Sequence, residues 1–311
     1  MRRATDAKPC YGHTVTVFRA FSRRRLSVDD RPAQRRVPVN PPGRAPQRPP
    51  GVRKATSMFR TLRTLMAAAL LALGLGVLPA TAQTAPKTVV LVHGAWADGS
   101  CWQRVIPYLL AAGLKVVAVQ NPLASLEGDV ANTTRVINDQ PGDVILVGHS
   151  YGGMVISEAG DNDKVKALVF VAAFAPKPGQ SVNAILSAFP PPAWFASLHA
   201  DAGGYVTWPA DTWASEFATG LPADEQAVLH AVQHPTFYGV NDNAVGDTVA
   251  WSSRPVVSVV AQADHIIPAP LQMLFAQQMG STVVPVDAGH LAMLSAPEAV
   301  ANAIIQAAGA Y

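Results

Sequence analysis

From residue 88 onward the chain alternates two patterns of apolar and polar positions. Short runs nearly continuous in Val, Leu and Ile occur at TVVLVH (88–93), KVVAVQ (115–120), DVILVGH (143–149), ALVFVAAF (167–174), PVVSVVAQ (255–262) and TVVPVD (282–287). A strand with one face in water alternates apolar with polar residues, whereas a strand covered on both faces does not. These six runs therefore predict mainly parallel strands buried inside a sheet. The stretches between them carry helix signals. Ser100 with Gln103 and Ser295 with Glu298 have the spacing of capping boxes. Pro268 and Pro270 suit the first turn of a helix that Gly280 would close. Val300, Ile304, Ile305 and Ala308 give the last helix one apolar stripe. Strand and helix in alternation predict an α/β architecture, a six-stranded sheet flanked by helices on both faces.

One segment breaks the rhythm. From Ala175 to about Ala250 there is no strong strand, but there are Pro190, Pro191 and Pro192 and many aromatic residues. Phe189, Trp194, Phe195, Trp208, Trp213, Phe217, Phe237 and Tyr238 all fall here. This predicts a mostly helical cap inserted between two strands, on the side where open α/β sheets bind ligands. Each aromatic residue could belong to the cap core or face a ligand.

Charge divides the chain. Residues 1–82 hold 16 Lys+Arg and 3 Asp+Glu, and residues 83–311 hold 8 and 18. The net charge of +3 averages two unlike pieces. Residues 1–57 are rich in Arg and Pro and poor in large apolar residues, a composition that predicts disorder. A nucleic-acid-binding arm is not expected, because no folded nucleic-acid module follows. The stretch MFRTLRTLMAAALLALGLGVLPATAQ begins at Met58. It has Arg60 and Arg63, then an apolar run from Leu65 to Leu78, then Ala80-Thr81-Ala82. That is the pattern of a secretory signal peptide over 58–82 with an A-x-A cleavage site. Its 14 apolar residues fall short of the ~20 of a membrane-spanning helix, the alternative reading. A signal peptide belongs at an N-terminus, so translation is expected to start at Met58, with residues 1–57 an upstream reading. Arg23-Arg24-Arg25 lacks the close apolar run of a twin-arginine signal. The expected mature chain, 83–311, is one acidic domain that is secreted or periplasmic, without stable membrane insertion after cleavage. It keeps one cysteine, Cys101, expected to pack as a small apolar residue.

Gly148-His149-Ser150-Tyr151-Gly152 matches G-x-S-x-G between a buried strand and an apolar helical pattern. In that context Ser150 is expected on a strained turn. A side chain at Gly148 or Gly152 would collide across it, and Gly153 would let the helix approach the next strand. A serine hydroxyl needs a base and an orienting acid to attack. His290 lies just after the final strand. His149 is expected to point away from the serine, because adjacent residues on an extended strand face apart. His199, His230, His234 and His265 are read as solvated, packed or structural. HAVQH lacks the glutamate of H-E-x-x-H, so no metal is expected. Asp264 follows the strand before His290, while the strand ending near Phe174 is followed by AAFAPKPG, with no carboxylate. The candidate catalytic set is Ser150, Asp264 and His290. Oxyanion donors would be the Tyr151 amide and one from Ala95 or Trp96, with Gly94 allowing close approach.

LVHGAW, ILVGHSYGG, ADHIIP and AGHLAMLSAPE, in that order, resemble the α/β-hydrolase superfamily over nearly the whole stretch from Gln83. Within it the chain resembles the small branch of plant methylesterases, hydroxynitrile lyases and bacterial esterases. Like that branch it starts at the strand carrying the His-Gly motif, since His93 lies 10 residues beyond Gln83. The resemblance implies an α/β-hydrolase fold, a six-stranded core under a helical cap, and acyl-enzyme chemistry on a small-molecule ester without cofactor. Hydroxynitrile lyases carry a lysine after the histidine; here Leu291 stands there, which argues against that activity. Haloalkane dehalogenases carry aspartate at the elbow, where this chain has Ser150. The expectation is an exported serine esterase for small to medium apolar substrates. Two alternatives stand beside it. A cofactor-free perhydrolase or haloperoxidase-like enzyme would depend on hydrogen peroxide. A slow ligand-binding protein would bind unchanged in Ser150→Ala. No pattern bears on oligomeric state.

Overall fold

The computed structural model describes residues 87–309. The expected disordered segment 1–57 and signal peptide 58–82 lie outside the described residues. Nine strands occur among the described residues: β1 Thr88–Val92, β2 Lys115–Ala118, β3 Val144–His149, β4 Val165–Val171, β5 His199–Ala200, β6 Tyr205–Thr207, β7 Thr236–Phe237, β8 Val256–Ala261 and β9 Thr282–Val286. Six form one sheet in the order β2-β1-β3-β4-β8-β9, every pair parallel. All six apolar runs became these strands, within a few residues at each end. Burial explains their composition. β1, β3 and β8 are buried at every position, whereas the edge strands β2 and β9 are only partly so.

The crossovers that parallel pairing requires distribute the helices over both faces. Helices Leu126–Asn138 and Gly152–Ala159 pack together on one face, and Ile106–Ala111 and Pro297–Gly309 on the other. Val300, Ile304 and Ala308 are buried, and Ile305 sits at the margin of that stripe. Helix Ala269–Met279 begins after Pro268 and ends at Gly280, left-handed at φ 61°, where lack of a side chain removes the steric cost. Neither expected capping box forms. Ser100 lies inside a 3-10 turn whose cap is Asp98, accepting from the Ser100 amide, and Gln103 ends that turn. The Ser295 hydroxyl donates back to the Leu291 carbonyl, within the short helix Ala292–Ser295. In both cases the helix begins elsewhere, so the serine does not stand at a helix start.

The sheet order reverses between β1 and β3, because β2 lies on one side of β1 and β3 on the other. Such a switch point opens a crevice at the carboxyl ends of the two strands. Over it sits the segment between β4 and β8. It contains short helices, as expected, but also a three-stranded antiparallel sheet of β5, β6 and β7. These strands are two or three residues long, too short for period-two alternation to register in the sequence.

Candidate active site

β3 ends at His149, and the chain turns at once into helix Gly152–Ala159. Ser150 sits at the corner with φ 53°, a left-handed conformation that costs a non-glycine residue roughly 1–2 kcal/mol. Hydrogen bonds on both sides hold it there. Its amide donates to Val171 O (3.3 Å), and its carbonyl accepts from the amides of Gly153 (3.0 Å) and Phe174 (3.1 Å). The glycines answer a packing demand. A Cβ on Gly148 would stand 2.7 Å from Gly152 O, one on Gly152 2.8 Å from His93 O, and one on Gly153 2.0 Å from Phe174 O.

Three loops at the carboxyl ends of β3, β8 and β9 bring Ser150, Asp264 and His290 together. His290 Nε2 is 2.9 Å from Ser150 Oγ, and His290 Nδ1 is 2.9 Å from Asp264 Oδ2. All three residues are buried. The carboxylate is itself held. Asp264 Oδ1 accepts from the amides of Ile266 (2.7 Å) and Ile267 (3.0 Å), and Oδ2 accepts from Gln272 Nε2 (2.9 Å). Gln272 also donates to Ile267 O (2.6 Å) and accepts from the Ala261 amide (3.0 Å). With its oxygens turned by these donors, the Asp264 carboxylate accepts from His290 Nδ1–H, which places the ring proton on Nδ1. Nε2 then presents a lone pair to the serine hydroxyl, the arrangement that can take up its proton.

His149 packs against His290 and not against the serine hydroxyl. Its ring lies 4.6 Å from the His290 ring, and its Nε2–H donates to the His290 carbonyl (2.9 Å). It supports His290 because the loop after β9 folds back over the end of β3. Burial drives its pKa well below 6.5, so the ring is neutral.

The amides beside the serine are unequal. Among the described residues, no acceptor meets the Tyr151 or the Ala95 amide, and both residues border the cavity with Ser150. The Trp96 amide, the alternative donor, is engaged: it donates to Thr236 Oγ1 (2.9 Å). Ala95 is thus the available partner for Tyr151. The Gly94–Ala95 peptide is oriented by His93, whose Nδ1–H donates to Gly94 O (2.9 Å). His93 Nε2 accepts from the Asn121 amide (3.0 Å), which sets that tautomer. A trans peptide points its N–H opposite its C=O, so His93 aims the Ala95 amide. Burial lowers the His93 pKa to about 4, so it too is neutral.

On the other side, Tyr151 OH donates to Asp129 Oδ2 (3.0 Å), while Asp129 Oδ1 accepts from the Leu123 amide (3.1 Å). Burial lifts the Asp129 carboxyl from 3.8 to about 6. Sequence reasoning missed Asp129 and Gln272. For Asp129 a signal existed: it shares the buried stripe of its helix with Leu126, Thr133 and Ile137.

A cavity of about 350 Å³ opens over Ser150. Six of the cap aromatics fall into two groups. Trp208, Trp213 and Phe217 are buried cap core, with Phe217 5.1 Å from the His290 ring. Phe189, Trp194 and Phe195 border the cavity. His265 lies at its rim, its Nδ1 3.2 Å from Glu216 Oε2 of the cap. His230 donates to Trp208 O (2.9 Å) and packs edge-on to Trp213. Among the described residues no cluster of three or more His, Cys, Asp or Glu could hold a metal, and no helix is long and apolar enough to cross a membrane. Cys101 is buried and unpaired.

Residues 89–303 match the model of the alpha/beta hydrolase family. The chain belongs to that family. Among its members the chain is similar to a carbendazim hydrolyzing esterase of Nocardioides sp. (strain SG-4G), 31% identical over 240 residues that span 68% of this chain and 96% of that protein. It is similar to methylesterase 8 of Arabidopsis thaliana, 28% identical over 57% of this chain and 72% of that one. The fold matches a crystal structure of polyneuridine aldehyde esterase with a TM-score of 0.63 at 21% identity, over 71% of this chain and 98% of that chain. The parallel six-stranded sheet flanked by helices is thus that of an alpha/beta hydrolase.

Proposed function

We propose that the chain is an exported serine esterase that cleaves carboxylic esters of small to medium apolar substrates. The observation that carries this reading is His290 bridging Ser150 Oγ and Asp264 Oδ2 at 2.9 Å each, with Ser150 bordering an apolar cavity. The named relatives are esterases, which supports the same chemistry. Export rests on the residue pattern of 58–82.

The steps follow from the geometry. Ser150 Oγ bonds to the ester carbonyl carbon as its proton passes to His290 Nε2. The carbonyl oxygen takes the negative charge and meets the amides of Tyr151 and Ala95, each such donor contributing about 2.7–4 kcal/mol. Asp264 stabilises the imidazolium without taking its proton. Collapse breaks the ester bond, and His290 returns the proton to the leaving alcohol. Water, deprotonated by His290, then attacks the acyl-enzyme carbonyl; the bond from the acyl carbon to Ser150 Oγ breaks, His290 returns the proton to Oγ, and the acid leaves.

The test is hydrolysis of p-nitrophenyl acetate and butyrate by the purified protein. Ser150→Ala and His290→Ala are each expected to lower kcat by a factor on the order of 10⁶. Parental turnover in Ser150→Ala would refute the reading. Mass determination of the protein recovered outside the cytoplasm is expected to place its first residue at Gln83.

A further inference from the structure

We infer that Thr236, on the cap, is a positioning residue for the oxyanion site, acting through the backbone of Trp96. The inference rests on the serine reading above.

Trp96 has φ 59°, a left-handed backbone that a tryptophan does not adopt without compensation. Every hydrogen bond recorded for it comes from the cap. Its amide donates to Thr236 Oγ1 (2.9 Å), its carbonyl accepts from the His234 amide (3.2 Å), and its indole Nε1 donates to Val206 O (2.9 Å). Its ring packs edge-on to Trp208 and Phe217 of the cap core. The core itself therefore supplies none of the bonds that hold this residue in its strained conformation.

The consequence falls on Ala95, one residue earlier. Its amide lies in a peptide that His93 orients from the core side, and the next peptide, ending at the Trp96 amide, is oriented by Thr236 from the cap side. The free donor is thus set between two pinned peptide planes, one from each layer. Thr236 is 1% exposed, and its γ-oxygen stands also 3.5 Å from His234 O, which directs its own proton away from Trp96. Without that hydroxyl the part-buried Trp96 amide loses its one acceptor. The cheapest relief is to abandon φ 59°, which swings Ala95 and opens a second amide to compete for the oxyanion. A misplacement of ~1 Å at such a group costs up to about 100-fold in rate.

Thr236→Val keeps the shape and removes the hydroxyl, and Thr236→Ser keeps the hydroxyl. In Thr236→Val, kcat for a p-nitrophenyl ester is expected to fall about 10- to 100-fold with KM within about twofold. The inhibition constant of an aryl trifluoromethyl ketone, whose serine adduct carries the same oxyanion, is expected to rise by the same factor. Thr236→Ser is expected to restore both. If Thr236→Val fails to fold, Thr236→Ala is read by the same two measurements. Parental kcat in the hydroxyl-free variant, with Ser150→Ala inactive, overturns the role of Thr236 and leaves the serine reading standing. A fall in kcat with unchanged ketone affinity also overturns it, since a merely structural loss does not single out the oxyanion. Parental turnover in Ser150→Ala overturns the serine reading and the role of Thr236 with it.

Discussion

At Gly153 the elbow leaves no room for a single carbon. An added Cβ would lie 2.0 Å from the carbonyl oxygen of Phe174, a backbone atom fixed by its place just beyond β4. Gly153→Ala is therefore expected to lose about 2–3 kcal/mol or more in urea denaturation, at the upper end for overpacking. Gly246 makes the control. Its Cβ would meet only Glu158 Oε1 at 3.8 Å, so Gly246→Ala is expected to stay within about 0.5 kcal/mol. Equal losses in the two variants would contradict the account of the elbow. The close packing at 148, 152 and 153 was readable from residue types alone, because a run of glycines around a serine has few other physical uses. The choice between Ala95 and Trp96 was not. It turned on which amide found an acceptor, and that acceptor, Thr236, lies 140 residues away.

Helix Ala269–Met279 supplies the clearest case of an element doing more than covering a sheet. Through Gln272 it joins the end of β8 at Ala261, the loop at Ile267 and the carboxylate of Asp264. Gln272→Met keeps the bulk and removes the donor to Asp264 Oδ2. It is expected to lower kcat about tenfold with KM nearly unchanged, the rate equivalent of ~1.4 kcal/mol, near the low end for a hydrogen bond to a charged group. A change in KM alone would assign Gln272 to packing. The Pro268, Pro270 and Gly280 signals that announced this helix are local, and all three held. The two capping boxes failed because Ser-x-x-Glu/Gln spacing carries no information on where the helix begins in space. The cap strands escaped notice for a related reason: runs of two or three residues are made by their partners rather than by their own pattern.

For the whole molecule, three buried titratable groups near the site set a pH dependence. His93, lowered to about 4, and His149, lowered well below 6.5, stay neutral in the fold. As pH falls below 6.5 the unfolded chain takes up protons at both that the fold refuses, so stability is lost. Asp129, raised from 3.8 to about 6, works in the opposite direction. It binds its proton in the fold first, and its contribution is full below 3.8 and lost as pH rises through 6. Two histidines against one aspartate leave a net loss of stability as pH falls through about 5. The urea midpoint is expected to drop between pH 7 and pH 4.5, and to drop more steeply in Asp129→Asn. A flat or rising midpoint would refute this balance. Amino-acid order alone determined the six strands of the main sheet, the elbow and the succession of serine, aspartate and histidine, because these depend on neighbours a few positions apart or on simple chain order. Tertiary structure alone decided which amide stays free, which side chains hold Asp264 and Tyr151, and how the cap grips Trp96. Those contacts join residues 8 to 140 positions apart, and their partners are chosen by how the crossovers stack the loops over the sheet, a matter on which local periodicity is silent.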